Sequence, residues 1–277
     1  MRFIKFIFHS PRLLYSPRVK LGAWIARVAA GVLLAVPAYA GLAYVVLPMS
    51  WKGYQTFAPG AAVRGCSRTA EGIPADPLNV AFVGSREQVV AAMRSAGWEP
   101  ADPITWRSGI RDATSILFDR PYSSAPVSRH FLFGRPQDLA FERVEGKSPR
   151  RRHHVRLWQS ADAFWIGAAT FDRSVGVSRR TGEVMHHIEP DVDAERATLF
   201  ADLARGGRLA RIEQGEGPHP AGEDLNGGGD RYVTDGRLWT GVLAPDGQGP
   251  DSVSVAAGGA PPITNVSPDR QSGSRSR

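Results

Sequence analysis

The sequence predicts an α+β fold: a mainly antiparallel sheet of hairpins with about three helices, preceded by one transmembrane helix. Three observations lead there. Twenty residues from Val28 to Leu47 carry no charge. From His130 onward, apolar and polar residues alternate between turn residues. The helical stripes do not alternate with strands as a βαβ sheet requires.

As a helix, the uncharged run covers roughly 30 Å, the thickness of a bilayer's hydrocarbon core. The anchor is placed at residues 21–47, with Trp24, Tyr44 and Trp51 near its ends, where interfacial aromatics sit. Pro37 lies inside it, which a membrane span tolerates. Of the chain's 34 Lys+Arg, nine fall in residues 1–68, where there is no Asp or Glu, leaving 25 basic against 27 acidic residues beyond. The formal +7 is therefore local to the anchor, and nucleic acid is not an expected partner. Five Lys/Arg precede Leu21 and only Lys52 follows closely. The positive-inside rule then makes residues 1–20 a basic cytoplasmic N-terminus and sends the rest outside, single-pass in the cell membrane with lipid as a partner. Ala38-Tyr39-Ala40 has the form of a signal-peptidase site, but the apolar run continues for seven residues beyond it, which favours an uncleaved anchor.

Residues 48–76, rich in Gly, Pro and Ala, read as a linker, 77–245 as the soluble domain and 246–277 as a disordered tail. Leu78 to Val83 is a compact strand-like run. Ser85 and Gln88 then form a capping-box pattern ahead of a helix that Gly97 ends. A second helix is expected over 104–118. His130–Phe133 and Leu139–Val144 read as one hairpin, and His153–Trp158 with Phe164–Asp172 as another. Glu183–Ile188 is a short strand. Pro190, with Asp191, Asp193 and Glu195, opens a helix stopped by Gly206-Gly207. Leu209–Ile212 and Leu238–Leu243 are the last strands.

The single cysteine, Cys66, excludes an intramolecular disulfide and a cysteine-based zinc ribbon. Polar groups concentrate between His153 and Arg196. Adjacent residues of a strand face opposite ways, so His153 and His154 cannot bind one ion together, nor His186 and His187. The candidate catalytic set takes one histidine from each pair: His154, Arg156, Asp172, His187 and Asp191. A histidine and an aspartate within reach suit acid–base chemistry, which makes a hydrolase of phosphorylated lipid or glycan one reading. The sequence shows no HExxH, GxSxG or phosphate-cradling glycine loop. No cofactor is called for; a divalent metal fits imidazoles and carboxylates, and its ligands stay unassigned. Arg150-Arg151-Arg152, with Lys147 and Arg156, forms the chief basic patch of the soluble part and suggests an anionic headgroup binder as a further reading. Trp98, Trp106, Trp165 and Trp239 are expected in the core.

Several ordered segments resemble the LssY C-terminal domain family. These are Leu78-Asn79-Val80 with Val83-Gly84-Ser85, Ala96-Gly97-Trp98, Ala125 to Ser128, Leu132 to Arg135 and Gln137 to Phe141. The longest are HHVRLW at 153–158, GAATFD at 167–172, HHIEPDVDAER at 186–196 and TDGR at 234–237. The resemblance spans about residues 76–243. It implies a bacterial, membrane-anchored envelope or secretion-associated component, since the family is named for a protein encoded with a type I secretion system. Other envelope or secretion proteins are then implied partners. It carries over no reaction, because none is established for the domain.

Overall fold

The computed structural model describes residues 21–57, 65–102, 105–118, 122, 125, 127–146, 150–245 and 254–257. The basic N-terminus 1–20, Lys147 and most of the expected tail lie outside the described residues. The chain divides into two units, Met1–Leu42 and Ala43–Arg277.

In the first unit, α1 (Leu21–Gly41) carries Pro37 and exposes Val32, Leu33, Leu34 and Val36. A π-helical turn, Leu42–Val46, leads into α2 (Leu47–Phe57), the second unit starting at Ala43. The stretch Gly22–Lys52 is long and apolar enough to cross a membrane. Its 31 residues would span about 46 Å, more than a hydrocarbon core.

The second unit continues with β1 (Cys66–Arg68), β2 (Pro74–Pro77), β3 (Val80–Val83), α3 (Arg86–Ser95), β4 (Glu99–Pro100), α4 (Trp106–Leu117), β5 (Phe131–Leu132) and β6 (Arg135–Pro136). Then come β7 (Leu139–Val144), β8 (Arg152–Ala161), β9 (Phe164–Val177), β10 (Val184–Ile188), α5 (Val192–Arg205) and β11 (Leu209–Glu216). The last are β12 (Gly222–Leu225), β13 (Arg231–Thr234), β14 (Arg237–Leu243) and β15 (Ser254–Ala257). Among the described residues the main sheet runs β15-β11-β14-β3-β9-β8-β7-β4, with β10 on the far end of β9. Its pairs are antiparallel except β11–β15 and β14–β3. The fold is α+β with an apolar N-terminal helix, as the periodicities predict.

Both helix starts beside the sheet follow from their caps. Ser85 accepts from Gln88 N, and Gln88 Oε1 accepts from Ser85 N, closing the box. Asp191 accepts from Asp193 N and Ala194 N at the head of α5. Gly97 takes φ +81°, a conformation that a residue with a Cβ adopts at a cost, and turns the chain out of α3.

Three segments differ from the sequence expectation. The expected 130–144 hairpin divides, because Phe133 and Gly134 both take positive φ and close a turn after two residues. β5 and β6 thus join β1 and β2 in a small sheet, while β7 pairs with β8. The stretch read as a linker carries α2, β1 and β2. The stretch read as a tail supplies β15, parallel to β11.

Strand alternation divides β8 and β9 between two faces. His153, Val155, Leu157, Trp165 and Ala169 turn toward α3 and α5, where Phe82, Met93, Trp98, Leu199 and Phe200 complete the main core. Arg152, His154 and Arg156, with Thr170 and Asp172, line a cleft on the other face. Asn79 ties strand to strand with its side chain: Nδ2 donates to Ala169 O (3.1 Å) and Val192 O (3.2 Å), and Oδ1 accepts from Ala169 N (2.9 Å).

Candidate active-site cleft

The cleft has a volume of about 1020 Å³ and is walled by β8, β9 and β10, the segment around Ser128–His130, and the 178–183 and 226–228 loops. At its floor Asp172 Oδ2 lies 2.6 Å from His154 Nε2 and 3.8 Å from His186 Nδ1. Arg152 reaches the same point, with Nη2 2.7 Å from His186 Nε2 and Nη1 3.5 Å from Glu142 Oε2. A second group sits beside it: Asp76 Oδ2 lies 2.9 Å from Arg156 Nη1 and 3.2 Å from His130 Nδ1. Ser67 Oγ is 3.2 Å from that same His130 nitrogen. Asp76, His154, Arg152, Arg156 and Asp172 are all buried.

Burial and charge settle the protonation states together. Burial opposes ionisation of Asp172, but the His154 contact and the nearby Arg152 charge outweigh it and hold the carboxyl below its usual range. Burial lowers the His154 pKa, and Arg152 and Arg156 add to the effect against the pull of Asp172. For His186 burial again leads, and its pKa falls to about 4. His130 is lowered by burial and by Arg156. Asp76 is lowered because His130 and Arg156 overcome its burial. Both carboxyls are thus favoured in their charged form, and burial disfavours protonation of all three imidazoles.

Neutral His154 must donate Nε2–H to Asp172, since a carboxylate only accepts. That leaves Nδ1 with its lone pair, and Nδ1 is buried with no hydrogen-bond partner among the described residues. A carboxylate fixing one imidazole tautomer and leaving the other nitrogen basic is the arrangement used to activate water or a hydroxyl.

Of the candidates named from sequence, His154, Arg156 and Asp172 come together here. His187 and Asp191 do not. His187 Nδ1 pairs with Asp230 Oδ1 at 2.8 Å, and Asp191 caps α5. His186 stands where His187 was expected. A bulge at Arg173 contributes to this: His187 lies opposite Ser174, whereas Ile188 lies opposite Asp172. Arg152, His186, Asp76 and His130 were missed as site residues; the HH pairs signalled only that one histidine of each would face inward. The other member of the first pair, His153, bonds Glu195 Oε2 at 2.8 Å on the opposite face.

The basic run also divides. Arg152 is buried in the floor, Arg151 pairs with Glu145 at 2.6 Å, and Arg150 is exposed at the cleft rim. Acidic Glu71 and Glu183 share that rim. Among the described residues, no group of three His, Cys, Asp or Glu is arranged to hold a metal ion. Trp98 and Trp165 are fully buried in the core and Trp239 packs against it, while Trp106's side chain is outside the described residues.

The sequence model of the family described as LssY C-terminus matches residues 60–238, which include every strand and loop of the cleft. No curated protein and no solved structure matches the chain.

Proposed function

The chain belongs to the LssY C-terminal family, and from the chemistry of its cleft we propose that it is a membrane-anchored hydrolase that cleaves a phosphate ester. The observation that carries the reading is the Asp172–His154 pair at 2.6 Å in a cleft floored by Arg152 and Arg156, with the buried His154 Nδ1 left without a partner among the described residues. His154 Nδ1 takes a proton from water, and the water oxygen forms a bond to phosphorus. The bond from phosphorus to the leaving oxygen breaks, and that oxygen leaves as an alcohol on gaining the proton that His154 took from water. Asp172 stabilises the imidazolium that forms. Arg152 and Arg156 bring positive charge to the phosphoryl oxygens, where it lowers the barrier most. The positive-inside balance of the anchor supports placing this cleft outside the cytoplasm. A part in secretion rests on the family's namesake alone.

The test is release of p-nitrophenol from p-nitrophenyl phosphate by the purified full chain. His154→Gln should lower kcat/KM by at least about a hundredfold, the range of a positioned general base. No release above buffer, or undiminished release by the variant, overturns the reading.

A further inference from the structure

One wall of the cleft is built against the end of the apolar helix. Tyr44 Oη accepts from Val184 N at 3.0 Å, and Trp51 Nε1 donates to Arg180 O at 3.1 Å. The Arg180 guanidinium lies over the Trp51 ring at 5.6 Å. Ala43 is buried, and a Cβ on Gly182 would lie 3.7 Å from its own. All of these partners fall in the 178–184 stretch, which with Met185 and His186 forms a wall of the cleft. Tyr44 and Trp51 both belong to the stretch long enough to cross a membrane, and aromatic residues near the end of such a span suit the level of the headgroups.

The surface around those contacts mixes exposed apolar side chains with charged ones, Lys52 and Arg179 among them. Val45, Val46 and Met49 on the helix are 51%, 52% and 68% exposed, and Val177 and Val184, paired at the tip of the β9–β10 hairpin, are 52% and 56% exposed. Exposed paired valines at the loop end of the hairpin suit contact with acyl chains better than contact with water. Val184 is two residues from His186, roughly 7 Å along a strand. A phosphate at His186 and Arg152 is thus within headgroup reach of a bilayer that meets Val184.

Resting on the hydrolase reading above, we propose that the substrate is a phosphorylated lipid, a phosphomonoester whose acyl chains stay in the leaflet while its headgroup enters across the 178–186 rim. Water cleaves the bond from phosphorus to the lipid oxygen, leaving the lipid alcohol in the membrane and releasing inorganic phosphate.

The full chain in phosphatidylcholine vesicles, given phosphatidic acid in the bilayer or glycerol 3-phosphate in solution, tests this. Phosphate release from the lipid should exceed that from the soluble ester by at least about tenfold in kcat/KM. Met49→Asp with Val177→Asp should lower lipid turnover about tenfold and leave p-nitrophenyl phosphate turnover unchanged. Equal rates on lipid and soluble ester overturn the lipid assignment while the hydrolase reading stands. No turnover of any of the three overturns both. A nitrobenzoxadiazole label at Val177→Cys, Cys66 being buried, gives an answer independent of activity. Its emission should shift to the blue and be quenched by brominated lipid. A label that reports bulk water overturns the membrane-facing rim.

Discussion

Replacing Asp172 with Asn tests the electrostatic core of the cleft. Asp172 is buried, accepts from His154 at 2.6 Å and is the anion nearest His186. Asn keeps the shape and one acceptor but removes the charge that offsets Arg152. The hydrogen bond from His154 to a charged acceptor, worth about 1.5–3 kcal/mol, becomes a neutral one. The upper end applies because the Arg152 charge nearby also loses an anion, though it keeps Glu142 at 3.5 Å. A loss of about 3 kcal/mol should lower the melting temperature by roughly 6–12 °C for a domain of this size. The sign with pH is fixed as well. The folded Asp172 pKa lies below its ordinary 3.8, so its stabilisation is full above about pH 4 and fades as pH falls further. Tryptophan fluorescence during thermal and urea unfolding of the full chain in detergent measures both quantities. A variant within about 0.5 kcal/mol of the parent at pH 7 refutes the reasoning. So does a difference that stays the same at pH 3.

Two further outcomes are expected. His186, with its pKa moved from 6.5 to about 4, resists protonation in the folded chain, so its stabilisation is full above pH 6.5 and declines as pH falls toward 4. His186→Gln should flatten the stability curve in that window by up to about 1.4 kcal/mol per pH unit, and an unchanged slope in urea titrations across it contradicts the assignment. Asn79→Ala removes three buried hydrogen bonds and leaves Ala169 N, Ala169 O and Val192 O short of a partner. It should cost about 3 kcal/mol at an unchanged urea m-value, and a loss under about 1 kcal/mol counts against the side-chain splice.

Local rules made much of this fold readable. The Ser85–Gln88 box, the acidic start of α5 and the period-two runs of β8 and β9 each act within a few residues, so composition and spacing suffice to place them. β1, β2 and β15 were missed for the opposite reason. Their strand character comes from partners distant in the chain, and Pro74, Pro77 and Gly-rich surroundings mask it. In the cleft, alternation required one histidine from each pair but could not say which. The choice depends on the bulge at Arg173, where nothing in composition announces an extra residue. Asp76 and His130 gave no signal because Asp76 pairs with His130 and with Arg156, 54 and 80 residues away in sequence.

The helix that follows Leu42 folds with the domain, and this bears on the Ala38-Tyr39-Ala40 sequence. Ala43, Tyr44 and Trp51 all lie beyond Ala40 and make their contacts with the domain. A cut after Ala40 would therefore leave these contacts intact and leave Val45, Val46 and Met49 exposed at the new N-terminus. Such a fragment would be a sticky peripheral protein rather than a freely diffusing one. Sedimentation with vesicles would then be a poor criterion of whether the anchor is present; the mass of the chain is the measurement that distinguishes the two forms.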